Sequence, residues 1–339
     1  MTPDLVTVGG LTVDNVVSAE GRVALELAGG NGAFSAVGAS IWAHRIGLVS
    51  AAVESYPKAT LAKLESAGVD LAGVSWYSER LTACSWFIYD DAGDRDEGLT
   101  SPPEALSAAG FPSDHLTRRQ VAQWRLLLAE RQNDDEIGYS EFRDLHPLMP
   151  VQVPETWVNT KGVHLAPSQP DVMMAMLDRF AAVPIVTADP GWQLAARPLD
   201  EIGPILSRLD AFLPSEVELR ALVPDAGLAD ALAKLADRTD GAVAVKLGSM
   251  GALVWDRTTK STVLVPVHKV KTVDPTGAGD GFSGGFLAGL VETSDPIAAA
   301  RFGAISAARI VGAFGADGAL PADREAARNL LNSEEPACL

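Results

Sequence analysis

From residue 162 onward the chain alternates short apolar runs with helical stretches, and this alternation constrains the fold more than any other feature. Residues 162–165 read as a strand, 171–182 as a helix and 184–187 as a second strand. Such an order indicates parallel pairing, because a parallel neighbour needs a crossover long enough to hold a helix. The same grammar opens the chain. Residues 5–8 form an apolar run ending at Gly9-Gly10, residues 11–17 an extended segment, 48–53 a strand, and 56–67 a helix stopped by Gly68. The expected fold is α/β: a doubly wound, mostly parallel sheet with helices on both faces. No linker divides the 339 residues, so a single domain spanning 1–339 is expected.

Near the C-terminal end, Val273-Asp274-Pro275-Thr276-Gly277-Ala278-Gly279-Asp280-Gly281-Phe282-Ser283-Gly284-Gly285-Phe286 sets a glycine-rich turn against a carboxylate. Phe282, Phe286, Leu287 and Leu290 recur at helical spacing, which puts Asp280 at or near a helix start. Gly281, Gly284, Gly285 and Gly289 would then lie inside that helix. Each costs roughly 1 kcal/mol relative to alanine, a conflict that marks function or close packing. The first amides of a helix lack intrahelical acceptors, and the dipole adds positive potential there. Gly277-Ala278-Gly279 can therefore cradle a phosphate, with Asp280 placed to accept a proton from an attacking hydroxyl. An N-capping role for Asp280 is the plainer reading. Gly279, Gly281 and Gly284 also fit G-x-G-x-x-G, but the run before them (residues 262–267) carries Pro266 and reads as an edge strand. No Lys followed by Ser or Thr completes a Walker A loop.

Charge narrows the partners. With 44 acidic against 27 basic residues the formal net charge is -17. Nucleic acid and anionic membranes are excluded as partners by that field, and an anionic substrate must be held by local donors. The longest uncharged stretch, residues 27–43, is too broken by glycine to span a bilayer. Two cysteines, Cys84 and Cys338, and no secretory leader fit a reduced cytoplasmic protein.

The heptad from Asp274 to Asp280 resembles the C-terminal signature of the ribokinase-like, or PfkB, carbohydrate kinases. That resemblance implies ATP and Mg2+, a small β lid, Asp280 as catalytic base and Gly277, Ala278 and Gly279 as the anion hole. Thr276 would lie at the nucleotide. A monovalent cation such as K+ near Asp274 and a homodimer are further expectations. Asp14 stands where the family grips substrate hydroxyls, and a carboxylate suits a polyol because it accepts from two adjacent hydroxyls. Without the resemblance Asp14 reads as a turn or edge carboxylate. Gly29-Gly30-Asn31-Gly32-Ala33-Phe34-Ser35-Ala36 resembles the N-terminal Gly-Gly signature, which makes Gly30 and Asn31 substrate-binding candidates. Phe34 occupies a position where the family commonly has Asn.

Ser215-Glu216-Val217-Glu218 resembles the Asn-x-x-Glu segment that organises magnesium, with Ser215 in place of Asn; Glu218 alone also fits a helix first turn. Residues 242–254 resemble the nucleotide loop. There Gly248 would admit ATP close to the backbone, and Lys246 could be a phosphate cation or a charge at a sheet end. Asp189 falls at a strand's C-terminal end, where such folds place ligands.

The lid is expected from about 10–28 and 80–98, with a hairpin turning at Asp91-Ala92-Gly93 and Trp86 in its core. About 50 further residues, 98–155, form an atypical, partly helical insertion. Its helix at 116–132 groups Val121, Trp124, Leu127 and Leu128 on one side and carries Arg118, Arg119, Arg125 and Arg131. The arginines read as a solvated face; the functional option is an insertion that closes over the site or joins two subunits. The expected activity is ATP-dependent phosphorylation of a hydroxyl on a sugar, nucleoside or related polyol. A ligand-binding or regulatory protein of this fold, weak or inactive as a kinase, is the alternative that Phe34, Ser215 and the insertion leave open.

Overall fold

A computed structural model describes residues 2–54, 56–78, 85–90, 95–130 and 139–333. Cys84, Arg131, Cys338 and the expected turn at Asp91 to Gly93 lie outside those residues. The strands are β1 (Leu5–Val8), β2 (Thr12–Val17), β3 (Val23–Gly29), β4 (Ile46–Val53), β5 (Val69–Tyr77), β6 (Ser85–Tyr89) and β7 (Arg95–Thr100). They continue with β8 (Gly162–Leu165), β9 (Val186–Ala188), β10 (Ala211–Phe212), β11 (Ala242–Lys246), β12 (Ala252–Asp256) and β13 (Ser261–Val265). Nine of them form one sheet in the order β13-β12-β11-β10-β9-β8-β1-β4-β5, parallel except for β12 and β13. The edge position expected for the proline-terminated strand is that of β13. Winding runs outward from β1 through β4 to β5 on one side and from β8 to β13 on the other, so it reverses between β1 and β8. A crevice at the carboxyl ends of the strands is the rule at such a reversal.

The helices are α1 (Asn31–Ser40), α2 (Lys58–Ser66), α3 (Glu104–Ala108), α4 (Arg118–Glu130), α5 (Tyr139–Leu145), α6 (Pro170–Arg179) and α7 (Gly191–Ala195). They end with α8 (Gly203–Leu206), α9 (Glu216–Leu222), α10 (Leu228–Ala236), α11 (Ala278–Thr293), α12 (Pro296–Val311) and α13 (Arg324–Ser333). Successive strand residues face opposite ways, and both faces are covered. Val6, Val8, Val163 and Leu165 join Met173, Leu206, Leu219 and Leu232 of α6, α8, α9 and α10 in one core. Leu5, Ile46 and Leu48 join Ala36, Leu287 and Ile305 of α1, α11 and α12 on the other face.

The glycines inside α11 answer to that second face. A methyl on Gly284 would lie 1.9 Å from the Ser35 carbonyl oxygen, and one on Gly38 would lie 2.2 Å from that of Gly281. Backbone meets backbone where α1 crosses α11, so no larger residue fits.

The remaining four strands make a separate sheet, β3-β2-β6-β7, over the carboxyl ends of the large one. Trp86 is fully buried beneath it, its ring 5.0 Å from that of Trp124, with Leu106, Leu116 and Leu128 around them. The first half of the insertion thus gives the small sheet a core of its own. Leu127, expected on the apolar side of α4, is instead 38% exposed, because Trp124 and Leu128 alone take the buried stripe. Arg125 is an inward-reaching arginine, pairing with Asp96 at 2.6 Å and donating to the Ile88 carbonyl at 3.3 Å. Among the described residues no helix is long and apolar enough to cross a membrane.

Candidate active site

Gly277 caps α11 with φ 72°, in the left-handed region that favours glycine, and offers no side-chain cap. Asp280 is therefore the third residue of the helix, and the plain N-capping reading does not apply. The Ala278 N–H bends back to the Pro275 carbonyl at 3.3 Å. Among the described residues no backbone acceptor meets the N–H of Gly277 or Gly279. Two donors without a backbone acceptor thus stand at the positive end of a 16-residue helix whose first turn carries Asp280. The loop is braced from behind. Asp274, 1% exposed, accepts from Thr276 N–H at 2.9 Å and Gly315 N–H at 3.4 Å, tying the signature to the closing loop. The Thr276 hydroxyl meets the Tyr89 hydroxyl of β6 at 2.7 Å, so the small sheet is latched onto the same loop.

The nucleotide candidates gather at the carboxyl ends of β10 and β11, where Ser215 bridges to Lys246. Ser215 caps α9. Its N–H and its hydroxyl donate to Glu218 Oε2, at 2.6 and 2.8 Å, and the Glu218 N–H donates back to the Ser215 Oγ at 3.4 Å, which makes a reciprocal capping box. Glu218 is thus held in place by Ser215 in the first turn of α9, the plainer of its two sequence readings, while the capping role of Ser215 is new. Gly248 has φ 58° and open space where a side chain would stand, a cradle wide enough for a ligand to touch backbone.

Lys246 is bound in a buried network. Its ammonium pairs with Asp189, which is 2% exposed, and lies 3.7 Å from where a methyl on Gly279 would be. The Ser283 hydroxyl sits 2.8 Å from Asp189 Oδ2 and 3.0 Å from the Gly279 carbonyl oxygen. His164 Nε2 lies 3.7 Å from Asp189 Oδ2, and its Nδ1 is 3.0 Å from the Thr187 hydroxyl. Burial would raise the Asp189 carboxyl, but the Lys246 charge and His164 outweigh it and hold it below the usual range. Lys246 is likewise raised against its own burial by Asp189, Glu218 and Asp280. The cation expected for a phosphate is therefore fixed beside Gly279 by the Asp189 carboxylate, a pairing that was not legible in the sequence.

The acceptor candidates meet at the β1–β8 reversal. Asp14, 3% exposed, takes a bond from the Thr12 hydroxyl at 2.9 Å and rests on Gly29, where a methyl would collide with it. Asn31 Oδ1 accepts from Gly10 N–H at 2.6 Å, and Gly32 N–H donates to the Gly10 carbonyl at 3.0 Å. Asn31 thus clasps Gly10 with its oxygen and keeps its amide NH2 for an acceptor. Gly30 has φ 94° and leaves no space for a methyl against the Gly10 carbonyl. Three residues further along α1, the Phe34 ring lies against Gly277, so one helix touches both Gly10 and the turn before α11. A cavity of about 340 Å³ opens beside Gly10, walled on one side by α5 and the loop after it. The Tyr139 hydroxyl packs on Gly10, and burial, with Asp14 adding to it against Arg143, pushes that phenol up to about 12. Sequence spacing carried no signal for Tyr139, because an insertion's position follows from tertiary packing.

Residues 154–323 match the model of the pfkB family carbohydrate kinases, half of the chain and every strand from β8 to β13. The chain belongs to the pfkB family. An ATP-dependent kinase of the sugar and nucleoside class is the activity that membership carries. A cytidine kinase of Thermococcus kodakarensis is 25% identical over 288 residues, covering 84% of this chain and 88% of its own. An ATP-dependent ribose-1-phosphate kinase of Halopiger xanaduensis is 28% identical over 324 residues, covering 94% and 93%. Among solved structures, Arabidopsis thaliana ribokinase complexed with ribose and ATP superimposes with a TM-score of 0.66 at 23% identity, over 98% of this chain and all of that one.

In this pfkB kinase Gly277 is under two constraints at once. A methyl there would stand 2.1 Å from the Phe34 ring, on a backbone where a side chain costs about 1–2 kcal/mol. Gly277→Ala is expected to lower the melting temperature and cut kcat/KM at least tenfold. Adding Phe34→Ala should restore only part of both, since the collision goes and the backbone strain stays. Full recovery in melting and kinetic assays would assign the whole effect to Phe34.

Proposed function

We propose that this chain transfers the γ-phosphoryl group of ATP to a hydroxyl of a sugar or nucleoside. The observation that carries the reading is what stands together at the start of α11: two amides without a backbone acceptor, the Lys246 ammonium beside Gly279, and Asp280 in the first turn. Asp280 takes the proton of the acceptor hydroxyl as its oxygen attacks phosphorus, and ADP leaves. The amides of Gly277 and Gly279, with Ala278 between them, and the Lys246 ammonium meet the charge on the transferring group; they are pre-placed, so no reorganisation is needed at that moment. Asp14 and the Asn31 amide orient the acceptor, and orientation alone can supply several kcal/mol of the barrier. Thr276, Ser215 and Gly248 line the nucleotide end.

Among the described residues no cluster of three or more His, Cys, Asp or Glu could hold a metal alone. Mg2+ does not require one, since it keeps most of its waters and is bound by one or two carboxylates plus substrate phosphates. Glu218, braced by Ser215, is the carboxylate for it, and the ion would neutralise charge on the phosphates. The K+ expected beside Asp274 belongs to the same reading, and dependence of turnover on K+ against Na+ tests it.

The two relatives named above bracket the acceptor class, one acting on a nucleoside and one on a sugar phosphate. The deciding experiment couples ADP release to a panel of pentoses, hexoses, sugar phosphates and nucleosides with ATP and Mg2+. Transfer to at least one acceptor, well above hydrolysis without acceptor, is expected. Acceptor and ATP binding with no transfer across the panel would leave a binding or regulatory protein instead.

A further inference from the structure

The cavity beside Gly10 is assembled from two distant parts of the chain. Core residues at the β1–β8 reversal give its floor and one wall, namely Gly10, Pro167, Ser168 and the first turn of α6 with Asp171 and Val172. The second half of the insertion gives the other wall, including Phe142, Arg143, Asp144 and His146. We infer that this cavity is the base subsite of a nucleoside acceptor, shaped by the insertion for an uncharged heteroaromatic ring bearing an exocyclic amino group. The inference rests on the kinase reading above and narrows its acceptor.

Three features carry it. The cavity shares Gly10 with the Asn31 clasp, and Tyr139 on its wall is near enough to Asp14 to feel that carboxylate's charge, so an occupant would adjoin the candidate hydroxyl-binding groups. At about 340 Å³ it lies in the range of small-molecule sites. Its insertion wall is aromatic. Phe142 is 1% exposed, and the His146 ring stacks on Tyr77 with centroids 3.8 Å apart and lies 5.0 Å from Phe142. With Pro147, Leu148 and Val172 alongside, such a wall favours a flat apolar face over a second polyol.

Charge separates a base from a phosphate. Arg143 is already engaged by its neighbour Asp144, through Nε at 3.2 Å and Nη2 at 3.1 Å, and Asp171 adds a second carboxylate at the rim. A phosphorylated sugar would bring further negative charge to that rim. An amino group brings donors to a surface rich in acceptors, Asp144 and Asp171 together with the Ser168 and Gln169 side chains.

The test uses the full chain with ATP and Mg2+ and compares cytidine, adenosine, uridine, ribose and ribose 1-phosphate. Cytidine or adenosine should exceed ribose and ribose 1-phosphate in kcat/KM by at least tenfold. Asp171→Asn, on an exposed helix turn, should lower the cytidine-to-uridine preference about tenfold, acting through KM. Val172→Phe, which fills the cavity, should raise KM for cytidine about tenfold more than for ribose. Turnover of ribose with no nucleoside turnover overturns the inference and leaves the kinase reading intact. Preference for ribose 1-phosphate that Arg143→Ala abolishes overturns it in favour of an anion subsite. Should nothing turn over, the kinase reading fails, and calorimetry with cytidine alone decides the subsite: binding weakened by Val172→Phe supports it, and no binding overturns it.

Discussion

Asp280→Asn is expected to lower kcat by about 10²–10⁴-fold, the usual range for removing a positioned general base, while the affinity for an ATP analogue changes little. The asymmetry follows from geometry. Asp280 occupies the third position of α11, past the amides of Gly277 and Gly279 that would hold the phosphoryl group. An amide side chain keeps the shape and takes away the proton acceptor. KM for the acceptor should move by much less than kcat, because Asp14 and Asn31 are assigned its binding. Unchanged kcat would remove Asp280 from the chemistry and with it the proposed mechanism.

Asp189→Asn is expected to destabilise the fold by about 3–5 kcal/mol, since removing one member of a buried ion pair strands the other. The stranded group would be Lys246, whose side chain is 15% exposed. Asp189→Asn combined with Lys246→Met should cost clearly less than the two separate losses added, and denaturant unfolding of all four chains measures the coupling. Strict additivity would show that the pair contributes nothing beyond its separate side chains. The pair also has a signature in pH. The Asp189 pKa is depressed in the folded chain, so its contribution is present above the unfolded value near 3.9 and is lost as pH falls through the folded one. The Lys246 pKa is raised, so its contribution is complete below about 10.4 and is lost as pH climbs through the folded value. Between those limits the wild-type margin over Asp189→Asn should be flat, and acidification below about 4 should narrow it.

The inner part of the large sheet was readable because β1, β4, β8, β9 and β11 are buried along almost their whole length and bounded by turn residues, whereas β5, with exposed positions such as Asp70 and Trp76, gave no such run. The Asp274 to Asp280 loop was readable for a related reason, since glycine at a left-handed cap and a carboxylate two residues into the helix are sequence-local. The ion pair of Asp189 with Lys246 was not, because 57 residues separate its members. Nor was the role of Ser215. A hydroxyl substituted for an amide looked like a weakened site, whereas the folded chain uses it to anchor the Glu218 carboxylate. Phe34 looked like a departure touching the acceptor, yet its ring is packed on Gly277 at the other end of the chemistry. The insertion divided in two for physical reasons. Its first half follows an amphipathic stripe around Trp124 and covers the small sheet, while Tyr139, Phe142 and His146 reach the cavity through contacts that no periodicity encodes.

Because α1 carries the Asn31 clasp on its first turn and the Phe34 ring on its second, a shift of that helix by a few tenths of an ångström moves both ends together. Redesigning the chain for a bulkier acceptor by reshaping the floor at Gly10 would therefore slow phosphate delivery as well. Compensating changes belong at Phe34 and Gly277, far from the new ligand, and a directed-evolution campaign should find them there.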